Sequence, residues 1–284
     1  TVIQANYYNT NYYKPEYGNE NFDCFVIPLA DAFRENFVNE LNELTSFVKK
    51  LKIPCYVIGV GLKESYEPDF SQPKPQDEAV KKFVTAVLEK SNCIGVRGEL
   101  TGKYLETLGF AEGRDFMVIG CPSMYMKGKR LHIQNPKLDV NSKVCFNSNV
   151  AASVPTRKFI KLKMKEFENH YFIGQVVNEL RSIYLGAPYE YKIEYNFRNV
   201  TDKIYQDGRL RFFCNVPKWM EFLNDSDLTF GSRLHGNIAA VLAGTPALLV
   251  TKDSRTRELA EYHHLNAIHE SKLNEKLTLQ ELVE

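Results

Sequence analysis

Four short apolar runs, CFVIPL (24–29), CYVIGV (55–60), CIGV (93–96) and FMVI (116–119), alternate with longer amphipathic stretches. This alternation constrains the fold more than any other feature of the chain. Each run resembles a buried parallel strand, and residues 39–51, 77–90 and 99–108 between them carry helical spacing. Val80, Phe83, Val84 and Val87, for example, fall at i, i+3, i+4 and i+7. Strand and helix in alternation predict a parallel sheet covered on both faces.

A second series follows the Gly128-Lys129-Arg130 stretch: KVCFN (143–147), YFIG (171–174), LRFFC (210–214), LTF (228–230) and ALLV (247–250). The spacing places helices near 156–168, 217–224, 234–243 and 255–262. The expected fold class is therefore α/β, with two Rossmann-like parallel-sheet domains facing a cleft. Their division near residues 125–140 gives an N-terminal domain over 1–130 and a C-terminal domain over 131–284. Ligands of open α/β sheets gather at the carboxyl ends of the strands, which makes that cleft the expected site. Two tyrosine-rich stretches, 6–21 and 186–209, read as long loops, either sugar-contacting or plain surface excursions.

Thirty-six basic residues against thirty-five acidic ones give a formal charge of +1, so no global field recruits nucleic acid or an anionic membrane. An anionic ligand must be held locally. The six cysteines stand singly with no C-x-x-C pair and read as buried reduced thiols of a cytosolic protein. No segment has the apolar length of a membrane span, and no signal peptide opens the chain, although a chain beginning at Thr1 does not exclude a removed leader.

The most informative stretch is LTFGSRLHGNIAAVLAGTPALLVTKDSRTRE, from Leu228 to Glu258. Leu228 to Phe230 end a strand, Gly231 permits a tight turn, and Ser232 is expected to cap a helix that Gly244 and Pro246 stop. Arg233 and His235 then sit in the first turn of that helix. The helix dipole there is already positive by roughly half a charge, so two cations in that turn point to a ligand that brings negative charge. The opposing reading pairs Arg233 with Asp225 or Asp227. Asp253 to Glu258 repeats the theme, with Arg255 and Arg257 either making a second anion contact or being neutralised by Glu258 and Glu261.

The sequence GSRLHGNIAAVLAGTPALLV resembles the C-terminal signature of the polysaccharide pyruvyl transferase family. CIGVRGELTGKYLETLGF is similar to that family's second marker, and IPCYVIGVG and VIGCPS match in kind and order. The resemblance covers roughly residues 23–265. The family's usual first strand and asparagine- or glycine-rich loop are not evident before residue 23, which fits a shortened N-terminal domain. The resemblance implies an architecture like that of GT-B glycosyltransferases, with the acceptor on the N-terminal domain and the donor on the C-terminal one.

It further implies a transferase that moves pyruvate from phosphoenolpyruvate onto a sugar of a cell-surface polysaccharide, exopolysaccharide or capsule, or onto its precursor. The product would be a pyruvate ketal, with phosphate released. Arg97, Arg233, Leu234 and His235 match donor-binding positions, with His235 as general acid; Ser232, Arg255 and Arg257 are further candidates. Arginine's planar fork suits both the carboxylate and the phosphate of the donor. For Arg97 the competing reading is a surface ion pair with Glu99, while Lys63, Thr101 and Lys103 are weaker donor-site candidates. Phosphoenolpyruvate is a co-substrate, so no separate cofactor is expected. The expected partner is a sugar or glycan acceptor, free or lipid-linked, in the cytoplasm or at the inner face of the membrane.

Two alternatives stay open: a nucleotide-sugar glycosyltransferase of the same two-domain shape, and an inactive glycan-binding relative. Metal catalysis has little support, because His263 and His264 are adjacent and no H-E-x-x-H or cysteine cluster accompanies them. A serine nucleophile is equally unsupported without a G-x-S-x-G elbow.

Overall fold

The computed structural model describes residues 2–4, 14–128, 131–149, 151–186 and 200–284 and forms two α/β units. Half of the 6–21 stretch and residues 187–199 of the 186–209 stretch lie outside the described residues; within the rest, Pro15–Asn21 and Lys203–Gln206 are helical rather than loop. The first unit runs α1 (Pro15–Asn21), β1 (Phe25–Pro28), α2 (Val38–Lys50), β2 (Cys55–Val60), α3 (Asp77–Leu88), β3 (Ile94–Val96), α4 (Glu99–Thr107) and β4 (Phe116–Val118). The second runs β5 (Val144–Asn147), α5 (Val154–Met164), β6 (His170–Gly174), α6 (Val177–Leu185), α7 (Lys203–Gln206), β7 (Leu210–Phe212), α8 (Val216–Asn224), β8 (Leu228–Gly231), α9 (Leu234–Ala243) and β9 (Ala247–Thr251). After β9 the chain forms α10 (Ser254–Tyr262), β10 (Ala267–His269) and α11 (Leu279–Val283).

The division is not a single cut. The first unit comprises Thr1–Pro122 and Asp253–His263; the second comprises Ser123–Lys252 and His264–Glu284. Helix α10 therefore belongs with the first unit, although the sequence groups it with the second. The cause is a set of polar ties that linear order conceals. Thr101 donates its N–H to Glu258 at 2.9 Å, the Tyr262 hydroxyl donates to the Val118 carbonyl at 3.1 Å, and the Cys121 N–H donates to His263 Nε2 at 2.7 Å.

The first sheet is parallel with order β1-β2-β3-β4. Ile27, Cys55, Val57, Ile94, Val96 and Phe116 point into one core with Leu41, Leu44 and Val48 of α2 and Val80, Phe83, Val84 and Val87 of α3. Val26, Tyr56 and Met117 on the opposite face are exposed, so coverage of both faces does not hold across this sheet. Its alternation, with Val26 and Tyr56 in register, is that of a sheet buried on one side.

The second sheet is parallel throughout, with order β10-β9-β8-β5-β6-β7. Read from the other edge this is the doubly wound Rossmann order 3-2-1-4-5-6. Here both faces are covered. Val144 and Phe146 of β5 pack with Phe159, Ile160 and Met164 of α5, while Cys145 between them faces Leu223 of α8 and Ala239 and Ala240 of α9. Phe230 of β8 sits edge-on to Phe146 with ring centroids 6.2 Å apart, and each fully buried phenyl contributes about 1.5–3 kcal/mol.

Cys55, Cys121 and Cys145 are buried, and burial pushes the thiols of Cys55 and Cys145 up to about 12 and about 11. Cys24 and Cys214 are exposed, contrary to the expectation of buried thiols, because β1 and β7 are shorter than their apolar runs and leave both residues outside the sheets. Among the described residues no helix is long and apolar enough to cross a membrane.

Candidate functional site

The strand order of the second unit fixes where its site belongs. β5 and β8 are the adjacent strands from which the chain departs in opposite directions, and ligands of such sheets bind outside their carboxyl ends. Asn147 ends β5 and Gly231 ends β8, directly opposite each other in register. A Cβ at Gly231 would collide with the carbonyl and side-chain oxygens of Asn147, so the strands can close to this separation only because residue 231 has no side chain.

The turn that follows differs in one respect from the expected cap. Strand β8 extends through Gly231, which moves the helix start on by one residue, and Arg233 holds the N-cap position of α9 with no side-chain cap. Ser232 is turned aside; its hydroxyl accepts the Asn149 N–H at 2.9 Å. The Arg233 side chain does not cap α9, whose N-terminus faces the switch point, where a helix dipole favours an anion. The Leu234 side chain is buried, which leaves only its backbone for a ligand, and His235 at the second helical position is exposed.

Arg233 is held by neither Asp225 nor Asp227. Its Nη2 donates to Glu179 Oε1 at 2.9 Å, its Nε to the Ser148 carbonyl at 2.7 Å, and its backbone N–H to Asn147 Oδ1 at 2.8 Å. Glu179 is fully buried, and its other oxygen accepts the N–H groups of Gln175 and Val176 at the start of α6. The guanidinium is thus fixed by the loop after β5 and the first turn of α6 together. Two amide nitrogens nearby lack an acceptor: Nδ2 of Asn147, which is 1% exposed, and Nε2 of Gln175. Both approach Gly236 in the first turn of α9, where an added Cβ would lie 3.2 Å and 2.5 Å from them. Asn147, Gln175 and Glu179 are absent from the sequence-derived set. The one signal pointing to Asn147 and Gln175 is a polar residue directly ending each apolar strand run, and Glu179, in the first turn of α6, has no such signal.

The remaining candidates lie in the first unit. Arg97 follows β3 and is 5% exposed, so it does not form the surface pair with Glu99. Its Nε donates to the Gly59 carbonyl at 2.5 Å, and its Nη1 is buried without a partner. Burial pulls this guanidinium below its ordinary pKa, opposed by Cys121, Asp31 and Glu258 and reinforced by Arg255.

Glu258, read from sequence as a neutraliser of helix-start arginines, binds neither Arg255 nor Arg257 directly. It is 1% exposed and accepts both the N–H and the hydroxyl of Thr101 at 2.9 Å, capping α4 from another helix. Gly61 and Gly98 make room for it, since a Cβ at Gly98 would lie 2.6 Å from its Cβ. Burial pushes this carboxyl up to about 7, against the hydrogen bonds from Thr101 and the charge of Arg97.

Arg255 contacts Asp31 and Asp253, each at 3.5 Å. Arg257 is committed to Glu261 at 2.8 Å, to the Tyr66 carbonyl at 3.2 Å and to the face of the Tyr66 ring. The second unit thus assembles Ser232, Arg233, Leu234 and His235, and the first unit carries Arg97, Arg255 and Arg257. Among the described residues no group of three His, Cys, Asp or Glu side chains is placed to hold a metal ion.

Two parallel α/β units, one of them a doubly wound sheet with a helix N-terminus at its switch point, define a protein of the Rossmann-like α/β class. The chain belongs to the polysaccharide pyruvyl transferase family, whose model matches residues 3–254. No curated protein matches its sequence. Similar solved structures, all at 12% identity, include S. aureus MnaA bound to UDP, with a TM-score of 0.46 over 100% of this chain and 70% of that one. The Methanocaldococcus jannaschii UDP-GlcNAc 2-epimerase with UDP-GlcNAc and UDP gives 0.49 over 95% and 69%. A putative UDP-N-acetylglucosamine 2-epimerase from Listeria monocytogenes gives 0.45 over 96% and 66%.

Proposed function

We propose that the protein transfers pyruvate from phosphoenolpyruvate to two hydroxyls of a sugar in a cell-surface polysaccharide or its carrier-linked precursor. The observation that carries this reading is the turn Gly231 to His235. In a chain of this family, it sets an arginine and a histidine at a helix start at the switch point of a doubly wound sheet. Phosphoenolpyruvate brings a carboxylate and a phosphate to a helix N-terminus beside Arg233, whose guanidinium is held in place by Glu179 and the Ser148 carbonyl and whose planar fork suits either group.

In the proposed reaction His235, as imidazolium, gives its proton to the methylene carbon of the enol. The neighbouring carbon becomes cationic and takes the oxygen of one sugar hydroxyl, which loses its proton. The phosphate departs with the electrons of its C–O bond, and the second hydroxyl adds to the same carbon with loss of its proton, closing the ketal. Histidine suits the first step because its ordinary pKa lies near neutrality, and a bound phosphate favours its charged form.

Calorimetric titration of phosphoenolpyruvate into wild type and Arg233→Ala tests the site, with a nucleotide sugar as control ligand. Loss of one charged hydrogen-bonding group weakens donor binding by about tenfold or more. Phosphate release with candidate acceptors then tests His235→Gln, for which turnover falls by about 100-fold or more if the imidazole is the acid. A well-folded wild type that binds the nucleotide sugar and ignores phosphoenolpyruvate overturns the reading.

A further inference from the structure

The first unit gathers positive charge at the carboxyl ends of its own strands. The loop after β1 and the loop after β2 are laced together: Gly61 N–H donates to the Ala30 carbonyl at 2.6 Å, Phe33 N–H to Gly61 at 3.2 Å, and Lys63 N–H to Phe33 at 3.2 Å. This lacing brings Asp31, Arg34 and Lys63 side by side. Arg34 reaches Asp31 at 2.6 Å, Lys63 at 3.7 Å, and Arg255 arrives from the start of α10 at 3.5 Å. Arg97 follows β3 in the same layer, within electrostatic reach of Asp31 and Arg255.

Three cations therefore share one carboxylate hub with Arg97 close by, and Asp253 on Arg255 is the second acid in ion-pair contact. Glu258, the third acid near Arg97, is bound by Thr101 instead. The balance is positive at a place where α/β sheets bind ligands. Three of the guanidinium nitrogens, Arg34 Nε, Arg97 Nη1 and Arg255 Nε, are buried without a partner. Gathering like charges and leaving buried donors unpaired are both costly, and a bound anion offsets both. Three guanidinium forks and one ammonium match a group with several charged oxygens better than a single carboxylate.

We propose that Arg34, Lys63 and Arg255, ordered by Asp31, form a phosphate-binding subsite of the first unit, backed by Arg97. The phosphate is either that of the donor or the diphosphate of a carrier-linked sugar. The donor source rests on the reading above; the diphosphate source does not.

The test titrates pyrophosphate and phosphoenolpyruvate separately into the full chain, as wild type, Lys63→Ala, Arg255→Gln and Arg233→Ala. Lys63 is 42% exposed, so its truncation leaves the fold intact, and Arg255→Lys replaces Arg255→Gln if the latter misfolds. The expected result is a loss of about tenfold in at least one first-unit variant. If both ligands weaken in the first-unit variants, the subsite takes the donor's phosphate. Weakened pyrophosphate beside unchanged phosphoenolpyruvate assigns it to the carrier diphosphate. If neither ligand weakens more than threefold in either first-unit variant, or wild type binds neither, the subsite does not exist. Failure of phosphoenolpyruvate alone to bind wild type, with pyrophosphate still sensitive to Lys63 and Arg255, overturns the donor reading and leaves the subsite standing.

Discussion

Glu258 makes the stability of the first unit depend on pH in a direction opposite to that of an ordinary paired carboxylate. Its carboxyl is pushed from 4.5 up to about 7 by burial, which outweighs the two Thr101 hydrogen bonds and the charge of Arg97. A group whose pKa is higher folded than unfolded holds its proton more tightly in the native state. Its contribution is therefore complete below about 4.5 and is lost as pH rises through about 7. A rise from 4.5 to about 7, at about 1.4 kcal/mol per pH unit, comes to about 3 kcal/mol. Glu258→Gln keeps the shape and an acceptor for the Thr101 N–H but cannot ionise. Urea unfolding followed by circular dichroism, with both proteins side by side at pH 4.5 and pH 8.5, isolates this group from every other titration. The variant should gain about 3 kcal/mol on wild type between those pH values. Parallel pH profiles for the two proteins would refute the reasoning, because the carboxyl would then titrate alike folded and unfolded.

Two further substitutions probe the frame around each subsite. Glu179→Ala leaves the Arg233 guanidinium without its buried carboxylate and costs about 3–5 kcal/mol, read from the urea midpoint at unchanged m-value. Gly98→Ala drives a methyl against the Glu258 Cβ at 2.6 Å and costs about 1–3 kcal/mol by overpacking, measured the same way; Glu258→Gly in the same chain removes the opposing atom, so the two losses should be less than additive.

How much of this was legible beforehand depends on which physical signal each part leaves in the chain. Strand runs and helix faces are local patterns, and every expected strand of both series forms within a residue or two of its run. Helices α6 and α11 escaped notice because VNELRSIYL and LQELV, at nine and five residues, are too short for periodicity to separate helix from loop. The turn from Gly231 to His235 was legible for the same local reason, since strand, glycine, arginine and helix are contiguous. Alternation does not encode the order in which parallel strands lie, however, and that order decides which strand ends become neighbours. Only because β8 lies against β5, and β5 against β6, do Asn147 and Glu179 reach Arg233. Only because α10 returns to the first unit does Arg255 meet Asp31 and Glu258 cap α4. A residue that binds through its own turn can thus be read from a single stretch of sequence. The residues that orient it, and the charges that gather into a second subsite, come from loops separated by tens to hundreds of positions and become neighbours only when the sheet topology is known.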